Sequence, residues 1–68
     1  MTDKELNALL YSNTVVHLDD YFIDAWFDIK SCEKHIDAVN RETREESGFI
    51  ANGMSIDELR EKISSLIV

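Results

Sequence analysis

Through the middle of the chain, side chains at Leu18, Phe22, Ala25, Ile29, Cys32, Ile36, Val39 and Thr43 recur in steps of four and three residues. That spacing stacks residues on one face of an α-helix, so the seam predicts a continuous helix near 19–47 with Asp19 or Asp20 as its N-cap. Thr2-Asp3-Lys4-Glu5 has the form of a capping box, followed by Leu6, Leu9 and Leu10, and predicts a first helix near 3–12 that Ser12-Asn13-Thr14 ends. Gly48, Asn52 and Gly53 interrupt the pattern. A second capping box, Ser55-Ile56-Asp57-Glu58, then opens a C-terminal helix near 55–67 with an apolar face of Ile56, Leu59, Ile63 and Leu66. The expected fold is all-α: a single domain, 1–68, of three helices around a long central one.

Residues 15–29 also fit another pattern. Val15-Val16, Tyr21-Phe22-Ile23 and Trp26-Phe27 favour strands, and Ile23, Ala25, Phe27 and Ile29 alternate with Asp24, Trp26 and Asp28. The alternative is therefore α+β, with a strand or hairpin at 15–29 turning at Asp19-Asp20. An isolated hairpin is marginal in water, and the seam runs on into 31–46, which favours the helix.

On that helix Tyr21, Phe22 and Trp26 border the core face, and Ile23 and Phe27 extend the apolar surface beyond what one flanking helix covers. Asp20, Asp24 and Asp28 form an i, i+4, i+8 ladder of like charges on a remaining face. Such a ladder costs helix stability, so it suggests a use outside the fold. These eight residues form the expected partner-binding site, with aromatic anchors inside a charged rim. Carboxylates repeating at about 6 Å along a helix approach the spacing of nucleic-acid phosphates, which brings in a DNA-mimic inhibitor as an alternative.

Composition narrows the classes. Fourteen acidic against seven basic residues give a net charge of −7, which disfavours direct binding to nucleic acid or anionic lipid. Residues 1–28 hold six acids against Lys4 alone, a balance of −5, whereas residues 29–68 hold eight acids against six bases, a balance of −2. The partner is expected to be another protein, including one that itself binds nucleic acid. A 68-residue core is marginal, and one cysteine forms no internal disulfide, so a homodimer is expected as well. The first 13 residues show no basic segment leading into an apolar run, and no stretch has the length of a membrane span; the expected location is the cytoplasm.

Little in the chain suggests chemistry. Cys32 and His35, with His17 upstream, are too few for a metal site, and Cys32 falls on the expected buried seam. Asp37 and Arg41 read as an exposed i, i+4 pair supporting the helix. No metal, cofactor or catalytic activity is expected. Gly53 to Arg60 resembles the start of the short dimerisation helices of small bacterial repressor and anti-repressor proteins, which would imply a self-association helix there. The expected function is that of a non-enzymatic regulator or inhibitor acting through protein–protein interaction, with a purely structural self-associating component as the other alternative.

Overall fold

The computed structural model describes residues 1–67 and shows an α+β protein with the element order α1 (Asp3–Tyr11), β1 (Thr14–His17), β2 (Tyr21–Asp28), β3 (Glu33–Asn40), β4 (Glu46–Ile50) and α2 (Ile56–Leu66). The four strands form one antiparallel sheet in the order β1-β2-β3-β4. Both helices lie on one face of that sheet. Leu6 and Leu9 of α1 and Leu59 and Ile63 of α2 meet Val16, Ile23, Ala25, Ile36 and Ala38 of the strands, with Ala51 completing the core.

Both outer helices begin as their sequences require. Thr2 and Ser55 each accept the backbone N–H of the residue three positions on, and Glu5 and Glu58 reach back to the cap N–H, so orphan donors of the first turn are satisfied reciprocally. Thr2's N–H and hydroxyl hold the Glu5 carboxyl below the usual range. Arg60 joins the helices through Asp3 and also reaches Asp57 at 3.2 Å.

The all-α expectation is overturned: 19–47 is not a helix but β2, β3 and the start of β4 with their turns. Neither Asp19 nor Asp20 is an N-cap; they form the tight turn of the β1–β2 hairpin, closed by Leu18 N–H donating to Tyr21 O at 2.9 Å. The four-and-three spacing arises from two strands read through a turn. Ala25 and Ile36 point to the core, while Phe22 and Val39 pair with each other on the opposite face. The true pattern is period two, with Ile23 and Ala25 in β2 matched by Ala38 and Ile36 in β3.

Two carboxamide or carboxylate side chains make the turns that replace the helix. Asp28 Oδ1 accepts the N–H of Lys30 at 2.9 Å and of Ser31 at 3.5 Å after β2. Asn40 Oδ1 accepts the N–H of Glu42 at 2.9 Å and of Thr43 at 3.0 Å after β3. Each turn contains a non-glycine residue with left-handed backbone, Cys32 (φ 57°) and Arg44 (φ 65°). Cys32 is thus exposed in a turn rather than buried on a seam, and its thiol donates to Ile29 O at 3.6 Å. Asn52 extends the sheet past the end of β4: its Oδ1 accepts Lys34 N–H at 2.7 Å and its Nδ2 donates to Cys32 O at 2.9 Å.

Candidate functional site

The face of the sheet opposite the helices is covered by no other element among the described residues. Strand alternation places Val15 and His17 of β1, Phe22, Asp24, Trp26 and Asp28 of β2, Glu33, His35, Asp37 and Val39 of β3, and Glu46, Gly48 and Ile50 of β4 on it. The register arranges these residues in rows across the strands. One row is His17, Phe22, Val39, Glu46; the next is Val15, Asp24, Asp37, Gly48; the third is Trp26, His35, Ile50; Asp28 and Glu33 close the end.

Trp26 sits at the centre of an interlocked group. Its indole stacks on the His35 imidazole, with ring centroids 4.3 Å apart and planes 10° from parallel. Its Nε1 donates to Asp37 Oδ2 at 2.8 Å, a diagonal contact between neighbouring strands. Asp37 Oδ1 then lies over Gly48, where a Cβ would stand 2.0 Å from it. Glycine at 48 is therefore what lets Asp37 lie flat across β4 and hold the indole. His35 Nε2 is buried beneath this stack without a hydrogen bond, 3.7 Å from Glu33 Oε1.

At the other end of the face, Arg41 packs its guanidinium over Phe22, 5.9 Å from the ring centroid. Its Nη2 donates to His17 Nδ1 at 2.7 Å and its Nε donates to Leu18 O at 3.1 Å. Since a guanidinium only donates, His17 Nδ1 serves as the acceptor of this bond. Arg41 thus ties the β1–β2 turn to the end of β3, and the expected Asp37–Arg41 pair is not formed.

Between these anchors the face is acidic and partly apolar. Val15, Trp26 and Ile50 are 43%, 40% and 45% exposed. Asp24 stands directly opposite Asp37, and Asp28 opposite Glu33. Like charges facing each other across strands destabilise a sheet. Asp37 is occupied by Trp26 and Asp28 by its turn, whereas Asp24 has no ion pair among the described residues.

The eight residues expected to bind a partner are divided by the sheet. Phe22, Asp24, Trp26 and Asp28 share the open face. Ile23 is wholly buried in the core, and Tyr21 packs against it. Phe27 points to the helix side and lines a groove of about 650 Å³ with Tyr11, Cys32, Lys34 and Met54. Trp26 and Phe27 are therefore not one patch. Asp20 lies in the hairpin turn, where its carbonyl accepts Arg41 N–H at 2.9 Å. Asp24 and Asp28 are four strand residues apart, roughly 13 Å, so the phosphate-like repeat of a helical ladder is gone.

In the groove, Lys34 is the one charged lining residue; burial pushes its amine down, and it donates to Ser12 O and, at 3.5 Å, to Asn13 Oδ1. His35, Asp37, Gly48 and Ile50 were outside the expected site. The signal for them was the alternation of Lys34, Ile36, Ala38 with His35, Asp37, Val39, which reads as a second strand once the first is accepted. Among the described residues, no helix is long and apolar enough to cross a membrane. The chain matches no protein-family model, no curated protein and no solved structure.

Proposed function

We propose that this protein is a non-enzymatic regulator or inhibitor that docks a basic surface of another protein onto the open face of its sheet. Trp26, Val15 and Ile50 supply the apolar centre; Asp24, Asp28, Glu33 and Glu46 supply the charge that selects and steers a cationic partner. The observation that carries the reading is Asp24. It stands opposite a second carboxylate, with no ion pair among the described residues, on a face left uncovered. Such a residue lowers the stability of the free protein and gains value when a cation arrives. The same charge argues against a second copy as the occupant of this face, since two acidic faces repel. A cytoplasmic setting belongs to the proposal, in keeping with the single exposed thiol of Cys32.

The test is affinity capture with the wild-type protein, identification of the retained proteins by mass spectrometry, and calorimetric titration of the retained partner. Trp26→Ala and Asp24→Lys are expected to abolish or sharply weaken binding while circular dichroism stays unchanged, and wild-type affinity falls as salt rises. Undiminished binding by both variants places the contact elsewhere and ends the proposal.

A further inference from the structure

Strands β2 and β3 are paired on both sides, so only β1 and β4 have free backbone edges. β2, inside the sheet, offers no edge to a second strand. β1 is four residues long and, because Leu18 N–H donates to Tyr21 O, directs only Val15 and His17 outward. β4 is the more open edge.

The outward groups of β4 follow from its pairing. Asn40 N–H donates to Glu45 O at 2.9 Å, and Ala51 N–H donates to Lys34 O at 2.8 Å. Antiparallel pairing alternates, so Ser47 and Phe49 also face β3, and Glu46, Gly48 and Ile50 direct their N–H and C=O away from the sheet. The protection on this segment is slight, one charged side chain, Glu46, at its start. It has no proline and no lysine, and its five pairs with β3 run in unbroken register without a bulge.

We propose that β4 pairs antiparallel with β4 of a second copy about a two-fold axis through Gly48. The outward positions leave one centred register, in which Gly48 faces Gly48 and Glu46 faces Ile50 of the other copy. Three hydrogen-bonded pairs of two bonds each form in that register. The two Glu46 carboxylates lie at opposite ends, roughly 13 Å apart, while glycine at the axis keeps side chains out of the seam. Asp37 leans over Gly48 in each copy, so the axis brings two carboxylates near one another. The dimer is therefore weak at low salt and tightens as salt rises, opposite to docking of a basic partner. It joins two open faces into one eight-stranded surface with two copies of Trp26, a bivalent arrangement.

This proposal does not depend on the docking reading, and the opposite salt dependence keeps the two outcomes separate. The experiment is sedimentation velocity over a concentration series, with amide hydrogen exchange at dilute and concentrated ends. The expected result is a reversible dimer in which the amides of Glu46, Gly48 and Ile50 gain protection on concentration. Gly48→sarcosine, made by ligation at Cys32, removes the outward N–H without adding a Cβ near Asp37. Two hydrogen bonds are lost per dimer by symmetry, so association is expected to weaken on the order of tenfold or more. A monomer at every concentration overturns the proposal. So does a dimer whose three outward amides exchange equally fast at both ends, or one that sarcosine leaves equally tight.

Discussion

Substituting Gly48 by alanine tests the interlock that holds Trp26. The new Cβ would stand 2.0 Å from Asp37 Oδ1 and 3.0 Å from Ile36 O, so the carboxylate must swing away and the 2.8 Å bond to Trp26 Nε1 breaks. A hydrogen bond to a charged group contributes about 1.5–3 kcal/mol, and the partial exposure of the indole reduces this to about 1–2 kcal/mol. Alanine recovers roughly 0.5–1 kcal/mol of the entropy that glycine costs in a strand, and crowding of Ile36 O consumes a similar amount. The expected cost of Gly48→Ala is thus about 1–2 kcal/mol, a fall in Tm of roughly 4–16 °C for a domain of this size. In an Asp37→Ala background no carboxylate remains to displace, and the same change is expected to be close to neutral. Urea unfolding of the four proteins, followed by circular dichroism, measures the coupling. Equal costs in both backgrounds would assign the effect to Ile36 O and refute the interlock.

Three further outcomes follow from the turns and caps. Asn52→Ala removes the partner of Lys34 N–H and of Cys32 O and is expected to cost about 1–2 kcal/mol in denaturant unfolding, with exchange of the Lys34 amide accelerated. Arg44→Gly relieves a left-handed backbone at a non-glycine residue and should raise stability by roughly 0.5 kcal/mol, the strain released slightly exceeding the entropy that glycine adds to the unfolded chain. The lowered pKa of Glu5 makes its capping bonds stabilising above roughly pH 4.3, the unfolded value, and that contribution is lost as pH falls through the lower folded value. The stability difference between wild type and Glu5→Gln should accordingly shrink on acidification through that window, as followed by thermal melts.

The outer elements were legible because their signals are local. Thr2 with Glu5 and Ser55 with Glu58 satisfy first-turn donors within four residues, whatever the rest of the chain does. The middle was misread because its turns carry no glycine or proline at the positions that reverse the chain. Asp28 and Asn40 make them with side-chain oxygens, and Cys32 and Arg44 take the left-handed positions that normally advertise a turn through glycine. Without those marks, Phe22 and Ala25 looked like neighbours on one helical face, although the strand sends them to opposite sides. The candidate site shared this fate. Phe22, Asp24, Trp26 and Asp28 share a face only in the strand, since a helix would set Phe22 and Trp26 nearly opposite Asp24 and Asp28, and Ile23 and Phe27 left that face with the change of period. Asp37 and Gly48 depend on the pairing of β2 with β3 and of β3 with β4, non-local contacts that no single segment announces.

Trp26 is the only tryptophan, so its fluorescence reports the open face directly. Titration of the wild-type protein with its captured basic partner, at low and high salt, is the most direct measurement of docking there. Burial of the indole against the partner predicts a blue-shifted emission that saturates with binding and needs more partner at high salt. An emission spectrum unchanged at saturating partner, with binding confirmed by calorimetry, would show that the partner sits elsewhere.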